Sequence, residues 1–230
     1  MWALDHAYEG PRRSFLAGTP WRILGLLAVA VGLAGAAAQS GHLPDATLSR
    51  IAIWALHAAL ISTALGWAAA DDPARPLRAL GLGVRPSRAA VAAAVGIGGG
   101  LAVHLLVTAS RTLGYPVVVD DPSRVLAALV YDVTLNVPGA EAFFRGALFN
   151  RAQRRWSFTT ALVVSTLASL LRYLVDPALP KIPEVLLGAV FYVALIGVAN
   201  GWLVWWSGSL VPPLLVSLLF FTVYRTLRMA

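Results

Sequence analysis

VLAALVYDVTLNVPGAEAFFRGALFN, residues 125–150, sets Asp132, Asn136, Glu141 and Arg145 in an otherwise apolar run. Ionisable side chains inside such a stretch cost enough in lipid that they mark a functional place. Their spacing is helical: at about 100° per residue Asp132 and Asn136 lie one turn apart on one face, as do Glu141 and Arg145. Pro138 and Gly139 stand between the two pairs and predict a break in the helix there.

Outward from this segment, further apolar runs lie near 21–38, 51–70, 89–108, 158–175, 185–206 and 209–227. A helix needs roughly 20 apolar residues to cross about 30 Å of hydrocarbon, and lipid offers the backbone no hydrogen-bond partner outside the helix itself. The chain of 230 residues is 58% hydrophobic and 13% charged, with a mean hydropathy of +0.72, too apolar for an ordinary soluble domain. The expected fold is therefore all-α, a polytopic transmembrane bundle of about seven helices. Residues 1–230 are read as one membrane domain, 1–20 being a cytoplasmic N-terminal segment. Breakers occupy the connections: Gly41 to Pro44, Asp71 to Pro86, Tyr115 to Pro122 and Asp176 to Pro183.

There is no Cys, which excludes disulfides, thiolate metal sites and cysteine nucleophiles, and no metal site is expected. The net charge of +7 is carried by arginine, with Lys181 the one lysine. With the N-terminus inside, Arg12, Arg13, Arg22, Arg75, Arg78, Arg85, Arg88, Arg151, Arg154 and Arg155 fall on the cytoplasmic side. Arg50, Arg111, Arg124, Lys181, Arg225 and Arg228 fall opposite, so the bias favours N-in and C-out in a bacterial inner membrane. No basic cluster is interleaved with aromatics in the manner of a nucleic-acid groove, so the expected partners are membrane lipids and other membrane proteins, not nucleic acid. Arg12-Arg13 before an apolar run and Ala36-Ala37-Ala38 imitate a twin-arginine signal, but an inside anchor for the first helix is the simpler reading. Gly96-Ile97-Gly98-Gly99-Gly100 has no strand and no Lys-Ser/Thr beside it, so close helix packing explains it better than a phosphate cradle, as it does Gly197-x-x-x-Gly201.

Ala140-Glu141-Ala142-Phe143-Phe144-Arg145-Gly146 resembles the first signature of the CPBP/Abi family of intramembrane proteases, Glu-Glu-x-x-x-Arg. Ser165 to Arg172 falls where that family has its Phe-x-x-x-His helix, and Gly208-Ser209-Leu210 to Ser217 where a Gly-Ser-Leu run leads into His-x-x-x-Asn/Asp. The resemblance covers residues 124–221 as a core and implies a CPBP/Abi-like bundle. In such proteases the first Glu and the first His activate a water, while the second His and the Asn stabilise the oxyanion. Here Ala140, Arg172, Ser217 and Phe221 stand at those places, and only Glu141 and Arg145 keep the pattern. Methyl, phenyl and guanidinium groups cannot act as the base, so the resemblance implies a non-catalytic member, a pseudoprotease serving as a binding or scaffold subunit. An active CAAX-type protease would need an unorthodox base at Glu141 or Asp132, and a transporter a hydrated path past Asp132, Glu141 and Arg172.

A guanidinium inside a bundle needs a partner, so Asp132, Glu141, Arg145 and Arg172 are expected to form a buried charge network. The alternative is that Arg172 and Asp176 snorkel to the interface. Of the histidines, His57 and His104 lie in membrane segments, where a satisfied core histidine is the plain reading. His57-Ala58-Ala59-Leu60 with Trp67 resembles the pigment-ligating stretch of light-harvesting α polypeptides, which would imply a photosynthetic accessory subunit with bacteriochlorophyll on His57 or His104; no cofactor is otherwise expected. Trp21, Trp67, Trp156, Trp205 and Trp206 are read as headgroup-zone anchors near segment ends.

Overall fold

The structure, a computed structural model, describes Val29 and residues 46–112, 121–174 and 183–226. The expected helix at 21–38, the N-terminal arginines with Trp21, and Asp176 and Lys181 lie outside the described residues. Within them the chain is helical, with no strand. α1 spans Ala46–Asp71, α2 Pro76–Ala79, α3 Arg88–Val107, α4 Pro122–Tyr131, α5 Val137–Glu141, α6 Asn150–Gln153, α7 Phe158–Leu174, α8 Pro183–Ser207 and α9 Val211–Thr226.

Three helix starts have a clear local cause. Ser87 Oγ accepts from the amide of Ala90 at 3.1 Å and opens α3, while Ser157 Oγ accepts from that of Thr160 at 3.2 Å and opens α7. At α4, Asp121 Oδ1 accepts from the Ser123 amide at 2.7 Å, and Pro122 takes the first helical position, where no amide is needed. The break expected at Pro138 does not occur. Instead Asp132–Asn136 forms a π-helical turn, and the amide of Val137 reaches back five residues to the Asp132 carbonyl. Proline has no N–H to continue the ladder, and widening the preceding turn keeps the rod helical. A second π-helical stretch, Ala142–Phe149, follows, so α4, α5 and α6 run on as one rod from Pro122 to Gln153.

The bundle has the polarity of a membrane protein. Asp132, Glu141, Arg145, Arg172, Asn200 and His57 are buried, whereas Leu187 is 72% and Leu126 63% exposed. Polar groups thus face inward and large apolar ones outward, which suits lipid as solvent. Ile53–Asp71, Arg88–Arg111 and Pro183–Ser207 are long and apolar enough to span; at 1.5 Å per residue they reach about 28, 36 and 37 Å. This is an all-α membrane helical bundle.

Small residues set the helix contacts. A Cβ at Gly98 would stand 3.0 Å from the Cα of Val216, so α3 and α9 touch along their backbones. Gly96, Gly99 and Gly100 have open space beside them, so only one glycine of that run does this packing. Gly197 accommodates Thr166 and the Arg145 guanidinium, and Gly201 accommodates Leu162, joining α7 to α8. Trp67 is not a headgroup anchor: it is buried, stacked on Phe143 at 5.7 Å, and covered by the Arg151 guanidinium at 5.2 Å. Arg151 is held there by Asp71 at 3.4 Å.

Candidate functional site

Glu141, at the end of α5, points into the bundle between α8 and α9. Its Oε1 accepts from Asn200 Nδ2 at 2.8 Å and from Ser217 Oγ at 2.7 Å. Asn200 Nδ2 also lies 2.9 Å from Ser217 Oγ, so one amide ties the carboxylate to both neighbouring helices. Glu141 Oε2 is buried and accepts no hydrogen bond from the protein. One turn on, Arg145 is buried and donates from Nη1 to the Ser165 carbonyl at 3.1 Å. Only a glycine at 197 leaves space for the other end of this guanidinium, since a Cβ there would lie 3.0 Å from Nη2.

Glu141 and Arg145 face one small cavity, with room for about one water molecule. Ser169 and Ser217 add hydroxyls, and Ala140, Tyr173 and Phe221 close it with apolar surface. The Tyr173 and Phe221 rings are stacked, 5.6 Å apart and 2° from parallel. On its other side Tyr173 carries the Arg172 guanidinium, 4.4 Å from the ring centre.

Arg172 belongs to a second cluster. It is 4% exposed and points inward, not toward an interface. Its Nη2 donates to Asn136 Oδ1 at 2.9 Å and to His57 Nε2. Asn136 in turn donates from Nδ2 to Asp132 Oδ1 at 2.7 Å. His57 Nδ1 lies 2.7 Å from the Ile53 carbonyl, which makes Nδ1 the protonated nitrogen and Nε2 the acceptor for Arg172. Tyr131 packs edge-on against the imidazole at 5.5 Å. Asn136 therefore relays between a carboxylate and a guanidinium, and the cluster joins α1, the α4–α5 rod and α7.

The four expected network residues thus sit in two adjoining groups: Glu141 with Arg145, and Asp132 with Arg172 through Asn136. Tyr173 stands between them. Of the positions where the family's catalytic residues are expected, Ala140 and Phe221 line the cavity and Ser217 binds Glu141. The side chains that α7 turns toward the cavity are Ser169, one turn before Arg172, and Tyr173. Both ring nitrogens of His57 have protein partners, so axial ligation of a pigment there would have to displace Arg172. His104 has an exposed ring, and its Nδ1 lies 2.8 Å from Tyr192 Oη.

Sequence reasoning missed Asn200, Ser169 and Tyr173, and left His57 unconnected to the charges. A lone Asn in the apolar run 183–207 was the available signal for Asn200. Chemically, the site holds one carboxylate able to orient or deprotonate a water, one guanidinium able to stabilise negative charge, and hydroxyls that only donate or accept hydrogen bonds.

Residues 122–222 match the family described as Type II CAAX prenyl endopeptidase Rce1-like. No curated protein matches the chain, and no solved structure does. The matched segment opens at Pro122, the first residue of α4, takes in Glu141, Arg145, Ser169 and Ser217, and closes one residue past Phe221, so the signatures and the cavity fall inside one family region. The match supports the resemblance to the CPBP/Abi family over residues 122–222.

Proposed function

We propose that this CPBP-type membrane protein does not cleave peptide bonds by the family's mechanism and serves as a binding or scaffold subunit of a complex in a bacterial inner membrane. The observation that carries this reading is the cavity around Glu141. Its other lining groups include Ala140, Arg145, Ser169, Ser217 and Phe221, none of which takes a proton from a water or hands one to a leaving amine near neutral pH. With space for about one water, the cavity is also closed to a peptide as it stands. A chamber in which Glu141 has no second base or acid beside it except the Tyr173 phenol, which stays protonated near neutral pH, favours binding as its work.

One observation favours a second reading, a hydrolase using Glu141 alone. Glu141 lines the space where a water fits, and its Oε2 accepts no hydrogen bond from the protein. Cleavage of a panel of prenylated and membrane peptides by the purified protein separates the two. The first reading expects the native protein to match Glu141→Gln and a buffer blank, and expects membrane proteins to co-purify with both. Turnover by the native chain that disappears in Glu141→Gln would establish the hydrolase and sink the scaffold.

A further inference from the structure

Three connections that are far apart in sequence meet at one end of the bundle. The α1–α3 connection is tied to the α8–α9 turn: the amide of Leu210 donates to the Gly81 carbonyl at 3.0 Å, and Ser209 Oγ to the Val84 carbonyl at 2.8 Å. Gly81 allows this approach through a φ of +83°; a Cβ there would sit 3.1 Å from the Leu210 nitrogen. The α6–α7 turn joins them through Asp71, which binds Arg151 at 3.4 Å and Arg154 at 2.9 Å.

The result is an end carrying Arg75, Arg78, Arg85, Arg88, Arg151, Arg154 and Arg155 against Asp71 and Asp72. Asp71 is committed to Arg151 and Arg154. Arg75, Arg78, Arg85, Arg88 and Arg155 are exposed, and no ion pair joins them to a described residue. Leu77, 54% exposed, and Trp156, 41% exposed, lie among them. Exposed cations beside an exposed leucine and an indole ring match a headgroup layer: phosphates outside, acyl chains just below. The opposite end presents one exposed arginine, Arg111, with Asp121 and Glu184 among its described residues.

We infer that this arginine-bearing end is a docking surface for anionic phospholipid headgroups and lies on the cytoplasmic side of the membrane. Juxtamembrane arginines draw anionic lipid by charge, and cytoplasmic loops are where they gather. At roughly fivefold per basic residue near an anionic surface, four of these five arginines, Arg75, Arg78, Arg85 and Arg88, give a preference of at least tenfold even after screening.

The test uses the full chain in neutral detergent, with tryptophan quenching by brominated phosphatidylglycerol or brominated phosphatidylcholine. Phosphatidylglycerol should bind at least tenfold more tightly. Joint substitution Arg75→Gln, Arg78→Gln, Arg85→Gln and Arg88→Gln should abolish the preference, and Arg111→Gln at the far end should keep it. Equal binding of the two lipids, an unchanged preference in the folded quadruple variant, or displacement by inorganic phosphate as effective as by phosphatidylglycerol would overturn the lipid assignment. Because the chain lacks Cys, Ala74→Cys and Glu184→Cys report orientation directly. A membrane-impermeant thiol reagent applied to intact cells should label only the second, and labelling of the first instead would overturn the sidedness.

Discussion

Asn200→Ala removes the amide that donates to Glu141 Oε1 at 2.8 Å and lies 2.9 Å from Ser217 Oγ. Interhelical hydrogen bonds between neutral groups in a bilayer average about 0.6 kcal/mol, whereas those to a charged group contribute about 1.5–3 kcal/mol. If Asn200 serves an ionised carboxylate, its loss should cost about 2 kcal/mol. In a Glu141→Gln background the same substitution deletes only a neutral bond, about 0.6 kcal/mol. The expected coupling is therefore about 1.4 kcal/mol, close to tenfold in the unfolding equilibrium constant. The assay is reversible SDS unfolding in bicelles of the native chain, both single variants and the double variant. Asn200→Asp should be worse than Asn200→Ala, because it sets a second carboxylate beside the first with no new cation. Equal costs for Asn200→Ala in the two backgrounds would refute the reasoning, since Asn200 would then be a packing residue indifferent to the charge on Glu141.

Two further outcomes follow from the packing. Phe221→Ala removes one leaf of the stacked pair that closes the Glu141 cavity: a cysteine placed by Ser169→Cys, inert to a small polar thiol reagent in the otherwise native chain, should become reactive, at a stability cost of about 3–5 kcal/mol, whereas an inert thiol in the folded double variant would show that Phe221 is not the closure. Gly98→Ala, whose methyl would meet the Val216 backbone at 3.0 Å, should destabilise by about 1–3 kcal/mol; Gly96→Ala, with open space, should stabilise the helix by up to about 1 kcal/mol, and equal unfolding midpoints for the two would contradict the backbone contact.

What could be read from the sequence followed the physics of lipid. Charged groups in apolar runs are conspicuous, so Glu141, Arg145, Asp132 and Arg172 were visible, as was the all-α bundle. The consequence of Pro138 was not, because a missing amide can be answered by a kink or by a π turn, and hydropathy does not distinguish the two. Asn200 and Ser169 stayed hidden for a different reason: a single amide or hydroxyl in a membrane helix takes its meaning from the helix it faces. His57 and Arg172 are 115 residues apart, and no periodicity connects them.

The charges themselves explain why Arg172 is turned away from the cavity although the family's first His is expected at its place. A second guanidinium beside Arg145 would put two cations against one carboxylate in a medium that cannot screen them. One turn along α7, Ser169 faces the cavity and leaves Glu141 balanced by Arg145. Arg172 is then balanced by Asp132 through Asn136, with His57 accepting a further hydrogen bond. Each group comes out near neutral, which a lipid-embedded core requires. Removing one ion from either group breaks that balance, whereas removing a matched pair preserves it. By that logic Ala140, Arg172, Ser217 and Phe221, at the places of the family's expected catalytic residues, are not isolated changes. Arg172 is buried only because Asp132, Asn136 and His57 satisfy it, and through His57 the second cluster draws on α1, outside the matched residues 122–222.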